Sequence, residues 1–411
     1  MTDFDQELDR RLEAIRSQGL WRELRRVDSA QGARVSLGGR EFVNFSSNDY
    51  LGLANHPALG EAAAQALQRF GCGSGASRLI CGSLAPHHEL EEALAAFKGT
   101  EAALSFSSGY ATAVGTITAL CGRDDIIVLD KLVHACIVDA ARLSGAKLRV
   151  FAHNDLADLE EILRWAHETR NARLDAQSPA CRPGILVVTE SIFSMDGDPA
   201  PLRELVALKE RHDAWLMVDE AHATGLFGRR RRGLAEELGV ADRIEIQMGT
   251  LGKALGAAGG YVCGSRRLIE FLVNRARSFI FSTAPTPAAA AAARAAVDLV
   301  QSATGESLQR DLWDRAAQCA SIVSTGNPSA PRCAILPVII GDETTAVSKA
   351  KALSARGVFI PAIRYPTVAR GSARLRITVT ASHTADDLAA LSIAWRAVGE
   401  QALQNQSPGP R

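Results

Sequence analysis

The sequence predicts an α/β protein: a large, mostly parallel sheet covered by helices on both faces, followed by a smaller C-terminal α+β unit. Two observations predict it. From about residue 85 to 285, short runs that are apolar throughout alternate with segments long enough for helices. Strands buried on both faces read in that continuous way. Beyond an alanine-rich stretch at 287–300 the order becomes strand, helix, strand, strand, helix, which makes a second compact unit.

Taken in order, Phe4, Leu8, Leu12 and Ile15 recur at helical spacing and predict an amphipathic helix over 3–17. The predicted strands of the large sheet are ALSF (103–106), DIIVLD (125–130), KLRVFA (147–152), ILVVTE (185–190), WLMVDE (215–220) and IEIQMG (244–249). The last unit reads as strand AILPVII, helix TTAVSKAKALSARG, strands VFIPAI and ARLRITVT, and helix TADDLAALSIAWRAVGEQAL. The boundaries are then an opening helix and short β segment at 1–48, a large unit at 49–285, a C-terminal unit at 286–402 and a disordered tail at 403–411.

Composition excludes several classes of function. Lys plus Arg equals Asp plus Glu at 46 each, so no net charge draws the chain to nucleic acid or an anionic membrane. No apolar run approaches the roughly 18 residues of a membrane span. The opening MTDFDQELDRRLEAIR has no apolar signal core, so a cytoplasmic protein is expected. Cysteines 72, 81, 121, 136, 181, 263, 319 and 333 are scattered without a C-x-x-C pair, which fits reduced thiols and no metal framework.

Open α/β sheets bind ligands beyond the carboxyl ends of their strands. ILVVTE is followed by SIFSMDGD, with Ser194; WLMVDE holds Asp219 and is followed by His222; IEIQMG is followed by Thr250 and Lys253. One edge thus receives a hydroxyl, a carboxylate with a histidine three residues on, and a lysine. Alone, each has an ordinary structural reading. Together, in this order, they favour a site. FSSGYATAVGTITAL adds Ser108, Gly109 and Tyr110 at a predicted helix start, where free N–H groups and the dipole favour a phosphate, although Ser108 also suits a plain N-cap. LDKLVHACIVDA places His134 after another strand.

Two literal motif matches fail on context. GTLGKA has two residues between its glycines rather than the four of a P-loop, and Ala254 stands where the Mg²⁺-binding hydroxyl belongs. GCGSGA (71–76) follows the helix-like EAAAQALQRF rather than a strand, against a dinucleotide site. The arginines at 229–232 read as a solvated loop.

A strand-end lysine can form an imine with pyridoxal phosphate, whose ring is an electron sink for a Cα carbanion. That chemistry needs a carboxylate at the pyridine nitrogen, a phosphate cradle and a flat group against the ring. Asp219, the Ser108–Tyr110 helix start and His134 can fill these roles. The glycines of GTLGKALG would let the backbone pass close to the ring.

NFSSNDYLGL (44–53), GSGASRLICG (73–82), TESIFSMDGD (189–198), VDEAHATG (218–225), TLGKALG (250–256) and AIRYPTVARGSARLR (362–376) resemble the α-oxoamine synthases, over about residues 15–400. The resemblance implies a pyridoxal-phosphate enzyme of the aspartate aminotransferase superfamily with the type I transferase fold. Its large domain would hold a mostly parallel seven-stranded sheet. It also implies a homodimer with sites at the interface. The implied reaction is decarboxylative condensation of L-alanine with pimeloyl-CoA or a pimeloyl carrier protein, in biotin biosynthesis. Glycine-using members such as glycine C-acetyltransferase share most of the motifs.

Carried over residue by residue, Lys253 is the imine lysine, Asp219 the pyridine partner and His134 the stacking residue at cofactor and substrate. Ser108, Gly109, Tyr110, Ser194, His222 and Thr250 are further cofactor contacts, and Ser282 and Thr283 would reach the phosphate of the neighbouring subunit. Arg376, with Asn48 nearby, would bind the amino-acid carboxylate, and Arg22 and Thr367 the acyl substrate. The pattern departs at Tyr365 and Ala369, where prolines are expected, in the segment implied to approach the acyl chain.

Overall fold

The computed structural model describes residues 2–174, 183–324 and 333–404. Its centre is a seven-stranded sheet. In chain order the strands are β3 (Ala102–Phe106), β4 (Ile126–Asp130), β5 (Lys147–Phe151), β6 (Ile185–Glu190), β7 (Trp215–Asp219), β8 (Ile246–Thr250) and β9 (Gly260–Gly264); β1 and β2 lie in the N-terminal segment. The spatial order is β3-β9-β8-β7-β6-β4-β5. Neighbours from β8 through β5 run parallel, and β9 runs antiparallel to both β8 and β3.

The continuous apolar runs have the expected cause. In β4, Ile126 and Val128 join one buried cluster while Ile127 and Leu129 join another; in β6, Ile185 and Val187 part from Leu186 and Val188 in the same way. Both faces of the sheet are therefore core. Six of the seven strands were legible in the sequence. The seventh, GYVCG, follows β8 without a helix between them, because an antiparallel neighbour needs no crossover. Its signal was a short apolar run bounded by glycines.

β1 (Arg34–Leu37) and β2 (Arg40–Asn44) form a hairpin. In the C-terminal unit, β10 (Ile335–Gly341), β12 (Ala362–Ile363) and β13 (Ala373–Thr378) form an antiparallel sheet in the order β10-β13-β12. The stretch VFIPAI is not one strand. It breaks at Pro361 into β11 (Val358–Phe359), which pairs in parallel with β2, and β12, which pairs with β13. Proline has no N–H to continue a ladder. The break lets one short stretch serve two sheets and ties residues 43–44 to the C-terminal unit.

The helix at Asp3–Ser17 forms as expected, closed by a Thr2–Asp5 capping box. The alanine-rich helix spans Pro287–Gln301, and the last helix spans Ala385–Gln404, so residues 403 and 404 continue the helix rather than begin the tail. Residues 405–411 lie outside the described residues, as does Cys181; the seven described cysteines are free thiols. Among the described residues no helix is long and apolar enough to cross a membrane.

The arginine run is not simply a solvated loop. Arg229 and Arg230 are exposed, but Arg231 is buried, and its Nε donates to the Val300 carbonyl at 2.6 Å. It satisfies a free carbonyl at the C-terminal end of the Pro287–Gln301 helix.

Candidate active site

Five parallel strands, β3, β4, β6, β7 and β8, end on one edge of the sheet, and chemistry-bearing residues lie at or just past each end. β3 leads into Ser108, the N-cap of the Gly109–Leu120 helix. β4 leads to His134, the N-cap of the Ala135–Ser144 helix. β6 ends at Glu190, four residues before Ser194. β7 ends at Asp219 and β8 at Thr250.

Lys253 is the hub. Its Nζ lies 2.9 Å from His222 Nε2. His222 Nδ1 lies 2.6 Å from the Tyr50 hydroxyl, which donates to Asn48 Oδ1 at 3.2 Å. Arg376 Nη1 donates to the same Asn48 oxygen at 3.1 Å, and Arg376 Nε donates to the Ser194 carbonyl at 2.6 Å. An ammonium has only protons to give, so with Lys253 charged His222 accepts at Nε2 and carries its proton at Nδ1. The structure thus joins Lys253, His222, Asn48, Ser194 and Arg376 through Tyr50, which the sequence reading did not single out. Tyr50 is 1% exposed, and burial raises its hydroxyl pKa.

Chain tracing explains the meeting. Thr378 N, at the end of β13, donates to the Phe45 carbonyl at 2.9 Å, and Ala381 N donates to the Tyr50 carbonyl at 2.8 Å. These bonds hold NFSSNDYLGL along the end of the strand that carries Arg376.

Burial tunes the charges. It lowers the Lys253 pKa, against the opposing pull of Asp219 and Glu190. It holds His222 well below its ordinary value, helped by the charges of Lys253 and Arg376, so His222 is neutral. It raises the Asp219 carboxyl, against Lys253 and the Ala221 N–H, which donates to Asp219 Oδ1 at 2.9 Å. His134 is lowered by burial and by Lys253, which places it within reach of the same charges. Its Nδ1 accepts from the Cys136 N–H at 3.2 Å.

Glu190 was missed. It pairs in register with Asp219 across β6 and β7, is 2% exposed, and its Oε1 has no hydrogen-bond partner. Burial and the Asp219 charge raise its carboxyl to about 8. Its signal was the carboxylate closing the apolar run ILVVTE.

The helix start is built as a cradle. The Ser108 hydroxyl accepts the Ala111 N–H at 3.1 Å, so it is the N-cap that the plainer reading expected, and it leaves the first amides of the helix free. A Cβ placed on Gly109 would lie 3.7 Å from Thr250 Cβ, ordinary contact distance, so this helix start and Thr250 lie side by side. Tyr110 is half-exposed, and its hydroxyl donates to Asp139 at 2.7 Å. Ser282 and Thr283 sit near β3, beside a bridge from Thr283 to Ser77.

Arg22 and Thr367 are both exposed. They are neighbours in the fold, because Arg364 donates to the carbonyls of Gly19 and Trp21 while Thr367 N donates to the Arg364 carbonyl. The glycines of GTLGKALG differ in purpose. A side chain at Gly249 would strike the Tyr261 ring, and one at Gly256, where φ is +61°, would strike the Leu53–Ala54 backbone. At Gly252 a Cβ would meet only ordinary contacts, 3.5 Å from the Ala257 carbonyl oxygen and 3.8 Å from Thr250 Oγ1. Two of the three glycines therefore make room for protein rather than for a ligand.

Residues 40–392 match the family model described as aminotransferase class I and II. A relative from Geobacter sulfurreducens, named 8-amino-7-oxononanoate synthase, is 48% identical over 396 residues, which is 95% of this chain and 97% of that one. Among solved structures, a serine palmitoyltransferase from S. paucimobilis described with bound PLP–myriocin superposes with a TM-score of 0.87 at 27% identity, covering 98% of this chain and all of that one. An 8-amino-7-oxononanoate synthase from Francisella tularensis superposes at 0.70 with 26% identity, covering 88% of this chain and 99% of that one. The chain belongs to the aminotransferase class I and II family, with relatives at near-full length named 8-amino-7-oxononanoate synthase.

Proposed function

We propose that the chain condenses L-alanine with a pimeloyl thioester, on CoA or a carrier protein, to give 8-amino-7-oxononanoate, the free thiol and CO2, in biotin biosynthesis. The observation that carries this reading is the line from Lys253 to Arg376, in a chain nearly half identical to a synthase of that name.

The residues fit pyridoxal phosphate: a buried, depressed lysine amine with no carboxylate in salt-bridge contact among the described residues, a buried carboxylate at a strand end, and a helix N-terminus beside a threonine. The chemistry that pyridoxal phosphate supplies when bound is an electron sink for the Cα carbanion. Lys253 would hold it through Nζ, with Asp219 at the pyridine nitrogen and His134 against the ring. Ser194 and His222 would hold the phenolic oxygen, and Ser108, Gly109, Tyr110 and Thr250 the phosphate. Ser282 and Thr283 would serve the neighbouring subunit's phosphate.

Arg376 grips the alanine carboxylate by its guanidinium fork, which its bonds to Asn48 and Ser194 hold in place. Lys253, with a lowered pKa, takes the Cα proton. His222 stays neutral beside it and so accepts hydrogen bonds from Nζ without repelling the amine. Arg22 and Thr367 meet the acyl donor. The chain works as a cytoplasmic homodimer, with the cofactor-binding unit at 49–285, the C-terminal unit at 286–402 and residues 1–48 completing the substrate side.

Thiol release across a panel of amino acids and acyl-CoAs tests this reading. Alanine with pimeloyl-CoA, or with a pimeloyl carrier protein, should be fastest. Faster turnover of glycine with acetyl-CoA, or of serine with palmitoyl-CoA, would overturn the named activity.

A further inference from the structure

The site contains one buried acid that the proposed chemistry does not use. Glu190 and Asp219 occupy paired positions on adjacent parallel strands, so their side chains leave the same face of the sheet about 5 Å apart. Both are buried. The groups facing Glu190 are Asp219 from β7, Lys253 from the loop after β8, and the backbone N–H groups of His134 and Ser194. The Cys136 thiol lies within reach of the Glu190 charge, and Arg376 acts on Lys253.

This set contains two carboxyl groups and one nearby cation. An ionised carboxylate without a counter-charge is costly to bury, and two neighbouring carboxyls settle by one keeping its proton. Which one keeps it follows from the partners. Lys253 is the leading counter-charge to the burial of Asp219, whereas at Glu190 the charge of Asp219 outweighs that of Lys253 and one oxygen, Oε1, has no partner. A protonated carboxyl can still accept amides at its carbonyl oxygen, and its O–H is a donor where a carboxylate has none.

Resting on the cofactor reading above, the geometry points to Glu190 as a positioning residue: it remains a neutral acid in the loaded enzyme, anchors the His134 and Ser194 backbones on either side of the cofactor, and leaves Asp219 as the only carboxylate at the pyridine nitrogen. The role is one of placement. His134 and Ser194 come from different loops, after β4 and β6, and both backbones lie within reach of the Glu190 carboxyl.

The test compares Glu190→Gln and Glu190→Ala with the wild type, using pyridoxal phosphate as probe. The readouts are cofactor affinity and the pH midpoint of the visible absorption of the loaded enzyme. Glutamine copies the neutral acid's carbonyl, so Glu190→Gln should keep wild-type affinity within about twofold and leave the midpoint in place. Glu190→Ala removes the acceptor and should weaken cofactor binding about tenfold. A charged Glu190 would stabilise a protonated imine, so its neutralisation would lower the midpoint. A drop of about one pH unit in Glu190→Gln overturns the proposal. So does an alanine variant that binds like wild type, or a glutamine variant that binds no better than alanine. If thermal melts show that the alanine variant does not fold, the glutamine midpoint decides. A wild-type protein that gains no visible band with pyridoxal phosphate would instead sink the functional reading.

Discussion

Lys253 Nζ lies 2.9 Å from His222 Nε2, and no carboxylate is in salt-bridge contact with this amine among the described residues. A lysine paired to a neutral imidazole is easier to deprotonate than one in an ion pair, and burial lowers its pKa further. Lys253→Ala should therefore remove the proton acceptor and the attachment point together. Turnover should fall by about 10⁴-fold or more. Borohydride should no longer fix colour to the protein, while the circular dichroism spectrum stays that of the wild type. Retained turnover would refute the assignment.

Tyr50 relays between the two ends of the site. Tyr50→Phe keeps the ring but leaves His222 Nδ1 and Asn48 without the hydroxyl between them. The loss should cost about 1–3 kcal/mol, read as a higher KM for L-alanine because Asn48 steadies Arg376. Steady-state kinetics at fixed acyl-CoA measures it. An unchanged KM would mean that Arg376 is held by the Ser194 carbonyl alone.

Arg376→Lys keeps the charge and loses the fork. kcat/KM for alanine should drop about 100-fold, with affinity for pyridoxal phosphate near wild type. Equal losses in both would mean that Arg376 supports the cofactor as well.

His153 is held between Asp130, at 3.0 Å, and Asp198, at 2.8 Å. Burial opposes its charge, but the bonds to both carboxylates outweigh burial and raise its pKa to about 10. A raised folded pKa stabilises the native state fully below the unfolded value of 6.5, and that stability is lost as pH rises toward 10. Denaturant unfolding at pH 7, 8.5 and 10 should show wild-type stability falling more steeply than that of His153→Gln. Parallel curves would contradict the pairing.

Gly260 in β9 packs against the start of the Gly109–Leu120 helix. A Cβ there would strike the Thr112 hydroxyl and stand 2.7 Å from Gly109 N. Gly260→Ala should destabilise the fold by about 1–3 kcal/mol and weaken cofactor binding by moving the Gly109 amide. Calorimetry and an absorbance titration would read the two effects, and a neutral result in both would show that the helix start can shift freely.

The sheet was legible because burial on two faces writes itself as uninterrupted apolar runs, and six strands were read from that signal. β9 escaped because an antiparallel neighbour needs no helix before it. VFIPAI was read as one strand because its composition is uniform, while Pro361 divides its pairing between two sheets. Of the site residues, Lys253, Asp219, His222, Ser194, Asn48 and Arg376 come together, whereas Tyr50 and Glu190 were hidden. A tyrosine in NDYLGL and a glutamate closing a strand look like ordinary core and strand-end residues until their neighbours are known.

The sequence by itself determined the sheet, the edge on which the chemistry lies and the residue types there, because strand ends and helix starts are local features. Only the tertiary structure decided how Lys253 communicates with Arg376 and which acid stands beside Asp219. The Tyr50 relay joins residues more than 170 positions apart in the chain, and the Glu190 pairing depends on strand register. Hydrogen bonds and burial at such separations follow from packing, which no local pattern encodes.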